Sequence, residues 1–159
     1  MEQDNLAPNM LKYHNYRTQF TRLNKALREE FYLEAIFIAY AIMEDRTESI
    51  LRHTGKWEAY EKSRKGHNIT IDSKIRYIQK MAEQKKSLPN RYLADGTLQR
   101  ILEWKEERNR MVHALLKQAV SDEELAALAT TGKELACNLR TKVNNLNRAI
   151  KAAEEKAAQ

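Results

Sequence analysis

Glycine and proline are scarce in this chain, with 4 Gly and 2 Pro in 159 residues. That scarcity argues against collagen-like, low-complexity and turn-rich all-β architectures, which need both residues often. A single cysteine, Cys137, excludes a disulfide framework and fits a reducing compartment such as the cytoplasm. No apolar run approaches the roughly 20 residues that a membrane span requires. The longest, residues 35–43, is nine residues and is fenced by Glu34 and Glu44. The opening MEQDNLAPNM is polar and acidic, so no signal peptide is expected. Several chemical signatures are also missing: no glycine-rich phosphate loop, no His-Glu-x-x-His, no Cys-x-x-Cys and no Glu-x-x-His. Neither a metal nor another cofactor is therefore expected, and no membrane partner.

What is present is abundant Ala, Leu, Glu, Lys and Arg, the residues that favour helices. The expected fold is all-α: one domain over 1–159, an antiparallel bundle of four to five main helices, with residues 1–8 and 151–159 as frayed tails. Tyr13, Tyr16, Phe20, Leu23 and Leu27 repeat at helical spacing and predict a first helix from about Asn9 to Arg28. The second, Glu30 to about His53, follows either as a bent continuation or after a short break near Arg28–Glu30. It is apolar around most of its circumference, Phe31, Leu33 and Phe37 included, and should be central. Residues 56–70 are expected to be a polar, basic connection. Asp72 or Ser73 is expected to cap a third helix from about Lys74 to Gln84. A loop then runs from Leu88-Pro89-Asn90 to Asp95-Gly96. Ser121-Asp122-Glu123-Glu124 is a capping box opening a last helix, which Thr130-Thr131-Gly132 is expected to bend.

Charge is unevenly placed. Of the net +6, the segment 52–91 carries 11 Lys/Arg against 4 Asp/Glu, while the rest of the chain is close to neutral. Within it Lys62, Arg64 and Lys65 lie near Trp57 and Tyr60, a mixture suited to phosphate contacts and base stacking, and equally to a solvated loop.

The most informative stretch is TLQRILEWKEERNRMVHALLKQAV, residues 97–120. At about 100° per residue it forms an amphipathic helix with Ile101, Trp104, Met111, Val112, Leu115 and Ala119 on one face. Arg108 falls in the middle of that face, so it needs a partner or a cleft; Glu44 or Asp45 is a candidate across the bundle. Asn109 and His113 are spaced i, i+4 and are surface neighbours. A second Arg/His pair, Arg46 and His53, has six residues between; no Asn follows Arg46 and His53 abuts the Thr54-Gly55 helix stop, so it is set aside.

Arg108-Asn109-x-x-x-His113 resembles the signature of the HEPN family, helical bundles of which many are metal-independent ribonucleases. The family pattern is Arg, four to six residues, then His, often with a polar residue after the Arg, late in the bundle. The resemblance implies an endoribonuclease with Arg108 and His113 catalytic and Asn109 supporting, built at a cleft shared by a homodimer, with RNA as substrate. It further implies a toxin or phage-defence role, with an antitoxin or regulator as a separate protein. The alternative within the family is a noncatalytic module that binds a partner or a nucleotide at the same seam. The chemistry suits the residues: His can exchange a proton near neutral pH, and Arg presents a permanently charged fork to phosphate oxygens.

Overall fold

The computed structural model describes residues 8–158. Among them there are seven helices and no strands: α1 (Pro8–Arg28), α2 (Tyr32–His53), α3 (Trp57–Arg64), α4 (Ile71–Ala82), α5 (Leu88–Leu93), α6 (Thr97–Ala114) and α7 (Asp122–Ala157). None of these is long and apolar enough to cross a membrane.

The break between α1 and α2 comes from backbone geometry without glycine. Glu30 takes a left-handed φ of 61°; its N–H bonds back to the Leu27 carbonyl at 3.3 Å and that of Phe31 to the Ala26 carbonyl at 2.8 Å. This is the paired terminal bonding that glycine usually supplies, here at some strain on a glutamate. The same two bonds close α2, where Gly55 has a φ of 67°, Gly55 N–H reaches Arg52 O and Lys56 N–H reaches Leu51 O.

The long helices pack mainly on α2 and α7. The α1–α2 hairpin is antiparallel, with Arg46 lying over Tyr16 far from the turn. α6 runs antiparallel to α7, bonding through Trp104 Nε1–H to the Leu128 carbonyl at 2.9 Å. α2 and α7, however, run in the same direction: Ala39 meets Gly132, and farther along Thr54 and Ile150 line one cavity. The bundle is thus mixed, whereas a wholly antiparallel one was expected. The core contains Leu23, Ile36, Met43, Ile50, Ile75, Ile101, Leu135 and Leu139, all at most 1% exposed.

Several sequence expectations are corrected. The 56–70 connection contains α3, anchored by Tyr60, whose hydroxyl meets Ser73 Oγ at 2.6 Å. α4 starts earlier than expected, because Thr70 caps it in a reciprocal box with Ser73. The following loop contains the short α5, capped by Ser87. α6 ends at Ala114, not Val120, so Leu116 is almost fully exposed and Ala119 exposed as well. Gly132 does not interrupt α7, which is one helix from Asp122 to Ala157. It lets Trp104 approach, for a Cβ there would stand 2.6 Å from Trp104 Cζ2. Ser121 caps α7 with Glu124 as expected. The tail expected to fray from 151 stays helical to Ala157, though exposed. Pro8 already belongs to α1, and the rest of the expected N-terminal tail lies outside the described residues, as does Gln159. Tyr13, Phe31, Leu33 and Phe37, expected to be inward, are exposed.

Candidate functional site

α6 and α2 together set the candidate site. α6 carries Lys105, Arg108, Asn109 and His113. α2 presents Phe37 and Tyr40, one turn apart, toward the middle of α6. The Arg108 guanidinium lies over both rings, 5.0 Å from the Phe37 centroid and 4.7 Å from that of Tyr40. Its Nη1 donates to Asn109 Oδ1 at 2.9 Å. The rings satisfy the cation's flat surface, while Nε is buried with no hydrogen-bond partner among the described residues.

Arg108 therefore does have a partner, but not a carboxylate across the bundle. Glu44 instead faces Lys74, at 3.5 Å, and Asp45 holds Arg46. Lys74 itself is 2% exposed, and Glu48 also approaches it at 4.0 Å. On the other side of the site, Lys105 Nζ donates to Asp72 at 2.7 Å and to Glu106 at 2.9 Å, tying α6 to the start of α4. Burial alone would pull the Lys105 ammonium down, but those two carboxylates more than offset it and raise its pKa. The Tyr40 hydroxyl is pushed up by burial and by Glu44, against the opposing pull of Arg108.

His113 is exposed in the last turn of α6, one turn beyond Asn109. It lines a cavity of about 310 Å³ with Arg110, Met111, Ala114 and the turn at 117–120. Arg108 does not line that cavity. Within one chain, then, Arg108 and Asn109 are joined directly, while His113 opens onto an adjoining surface. Lys62 and Lys65 are exposed at the end of α3. Arg64 is half-buried and donates from Nη2 to the Asn68 carbonyl at 3.1 Å. No group of three or more His, Cys, Asp or Glu side chains suited to a metal ion occurs among the described residues.

Phe37, Tyr40 and Lys105 are the neighbours that sequence reasoning missed. Phe37, Tyr40 and Glu44 follow one another at i, i+3, i+7 along α2, a weak signal that an apolar helix hides. Apolar exposure continues from Phe37, 49% exposed, to Leu33, 37% exposed, one turn earlier. Because α7 runs parallel to α2 and antiparallel to α6, the end of α6 and the start of α2 lie at the same end of the bundle. Leu116, 99% exposed, therefore extends the apolar character at that end.

Comparison with known proteins finds no matching family model, no matching curated protein and no matching solved structure.

Proposed function

We propose that this chain is a HEPN-like, metal-independent endoribonuclease that works as a homodimer, as a toxin or phage-defence effector. The observation that carries the reading is the Arg108 guanidinium, held on two rings and an amide with no carboxylate bonded to it among the described residues, five residues before an exposed imidazole on the same helix. In this reading the RNA 2′-hydroxyl attacks the adjacent phosphate, forming a 2′,3′-cyclic phosphate as the bond to the 5′-oxygen breaks. His113 of one protomer takes the 2′-hydroxyl proton and its counterpart in the second delivers one to the departing oxygen. Arg108 offsets charge gathering on the phosphate. Two imidazoles resolve the difficulty that one cannot easily act as base and acid together. The exposed Leu33–Phe37 strip beside Arg108 supplies an apolar surface for the second copy.

The alternative, a noncatalytic module binding a partner or nucleotide at this seam, draws support from Arg108 standing outside the cavity that His113 lines. Incubating the protein with RNA in EDTA separates the two. Cleavage should leave 2′,3′-cyclic phosphate and 5′-hydroxyl ends and fall by at least about 10²-fold in His113→Ala, with the melting curve unchanged. Equal cutting by wild type and variant, or no cutting by either, overturns the enzyme reading.

A further inference from the structure

A cavity of about 830 Å³ lies between α1, the second half of α2 and α7. Four arginines line it, Arg17, Arg46, Arg140 and Arg148, together with His53 and the exposed ring of Tyr13; among the described residues no Asp or Glu lines it. Arg46 and His53 are the pair that the sequence pattern left aside.

The way these cations are held matters more than their number. Arg46 lies 4.3 Å from the Tyr16 ring centroid and is bonded to Asp45, so its charge is largely answered at the groove floor. Arg140 is held on the Phe20 ring, also at 4.3 Å, with no carboxylate bonded to it among the described residues. A guanidinium resting on a ring, with no hydrogen bond of its own among the described residues, keeps N–H donors that can grip a phosphate by two oxygens. Arg17 and Arg148 are exposed on opposite walls, on α1 and α7. Three guanidiniums thus converge on one open cavity with no carboxylate bonded to them among the described residues, concentrating positive potential inside it. Asn144, Asn145 and Asn147 add amide groups along the α7 wall, and Asn147 Oδ1 is buried without a protein partner. The volume is within the usual range for a small-molecule site.

We infer that this groove binds a small ligand bearing at least two linked phosphate groups, held by Arg17, Arg140 and Arg148. The inference is independent of the Arg108 site. Phe37 and Arg46 are nine residues apart on α2, which at about 100° per residue puts the two clusters on opposite faces of that helix.

The test is calorimetric titration of the full chain with pyrophosphate, ADP, adenosine and a short oligouridylate. Pyrophosphate and ADP should bind and adenosine should not. ADP binding more than tenfold tighter than pyrophosphate would assign the source as a nucleotide, with the base using Tyr13; equal binding would assign the diphosphate alone. The double variant Arg17→Gln/Arg148→Gln alters only exposed side chains and should fold, as a thermal melt would confirm. It should weaken both ligands by at least tenfold while leaving RNA cleavage unchanged. The inference is overturned if neither phosphate compound binds, if the double variant binds pyrophosphate as wild type does, or if the oligouridylate alone binds and loses affinity in that variant.

Discussion

α2 has an arginine stacked over a tyrosine on each of two sides, and the two arrangements differ in one respect. On the α1 side Arg46 lies over Tyr16 and is bonded to Asp45, its own neighbour in the chain. On the α6 side Arg108 lies over Tyr40 and Phe37 and is bonded to the neutral amide of Asn109. Aromatic support is common to both; charge neutralisation is not. An arginine with a bonded carboxylate is a structural fastener. One with rings beneath it and only an amide beside it keeps its charge for a third party.

The strongest way to break this comparison is to remove each arginine in turn. Arg108→Ala should lower RNA cleavage by about 10²–10³-fold, the loss expected when a preorganised donor to a reacting phosphate disappears. Its unfolding free energy should change by only about 1 kcal/mol, since stacking is what folding loses. Arg46→Ala should do the reverse. It uncovers Tyr16 and removes the cation packed on its ring, for a destabilisation of about 2 kcal/mol, with cleavage per folded molecule retained. Urea unfolding beside RNA cleavage rates reads both. The contrast collapses if both variants lose stability equally and activity equally.

Between the two faces runs the contact that spaces them. Gly132 on α7 admits Trp104 of α6 against Ala39 of α2, and a methyl group there would stand 2.6 Å from the indole. Gly132→Ala should therefore cost about 1–3 kcal/mol by overpacking. The damage should fall first on the α6 side, because Trp104 must give way and it leads directly into Arg108. Hydrogen exchange should show α6 amides losing protection before those of α1; uniform loss would place the strain elsewhere.

These particulars show what could be read from the chain alone and why the remainder could not. The stripes of α1 and α7 were legible because each buries one face at a regular period, and Ser121 caps α7 where its box pattern stands. α3 and α5 passed unnoticed because each is short and mostly polar, held by single anchors such as Tyr60 and Leu93. The end of α6 at Ala114 has no glycine or proline to mark it; the chain must turn there so that Ser121 can open α7 in the opposite direction. At the site, the Asn109–His113 spacing was legible because helical neighbours are fixed by local geometry. The support under Arg108 was not, since Phe37 and Tyr40 lie about 70 residues away and only the packing of α6 beside α2 unites them. The burial of Lys74 was hidden for the same reason: its carboxylate partners are on another helix.

A smaller test concerns the apolar strip. Phe37→Glu should leave the monomer within about 0.5 kcal/mol of wild-type stability, as an exposed position permits. It should weaken self-association at least tenfold in sedimentation, by placing a carboxylate in an apolar seam. A stable dimer unaffected by the change would move the subunit junction off the Arg108 face and take the shared-cleft chemistry with it.

The finest distinction lies in the two tyrosines. Both hydroxyls are shifted upward, and burial is the leading cause for each. Tyr16 is the more strongly raised, despite the pull of Arg46, and its Oη is buried with no hydrogen-bond partner among the described residues. A group whose folded pKa lies above its unfolded value favours the folded state while it stays protonated. That contribution is complete below the ordinary value of 10.0 and disappears as pH climbs toward the folded value. Each tyrosine thus adds to alkaline destabilisation, Tyr16 more than Tyr40. Tyr16→Phe keeps the ring under Arg46 and deletes an unbonded hydroxyl, so it should be neutral or stabilising by about 1 kcal/mol at pH 7. Its stability should also fall less steeply above pH 10 than that of wild type, and Tyr40→Phe should flatten the same limb by a smaller amount. Equal flattening by the two would mean that Tyr40 is as deeply desolvated beneath Arg108 as Tyr16 is beneath Arg46, and the Arg108 face would then be a closed seam within one chain, not an open one.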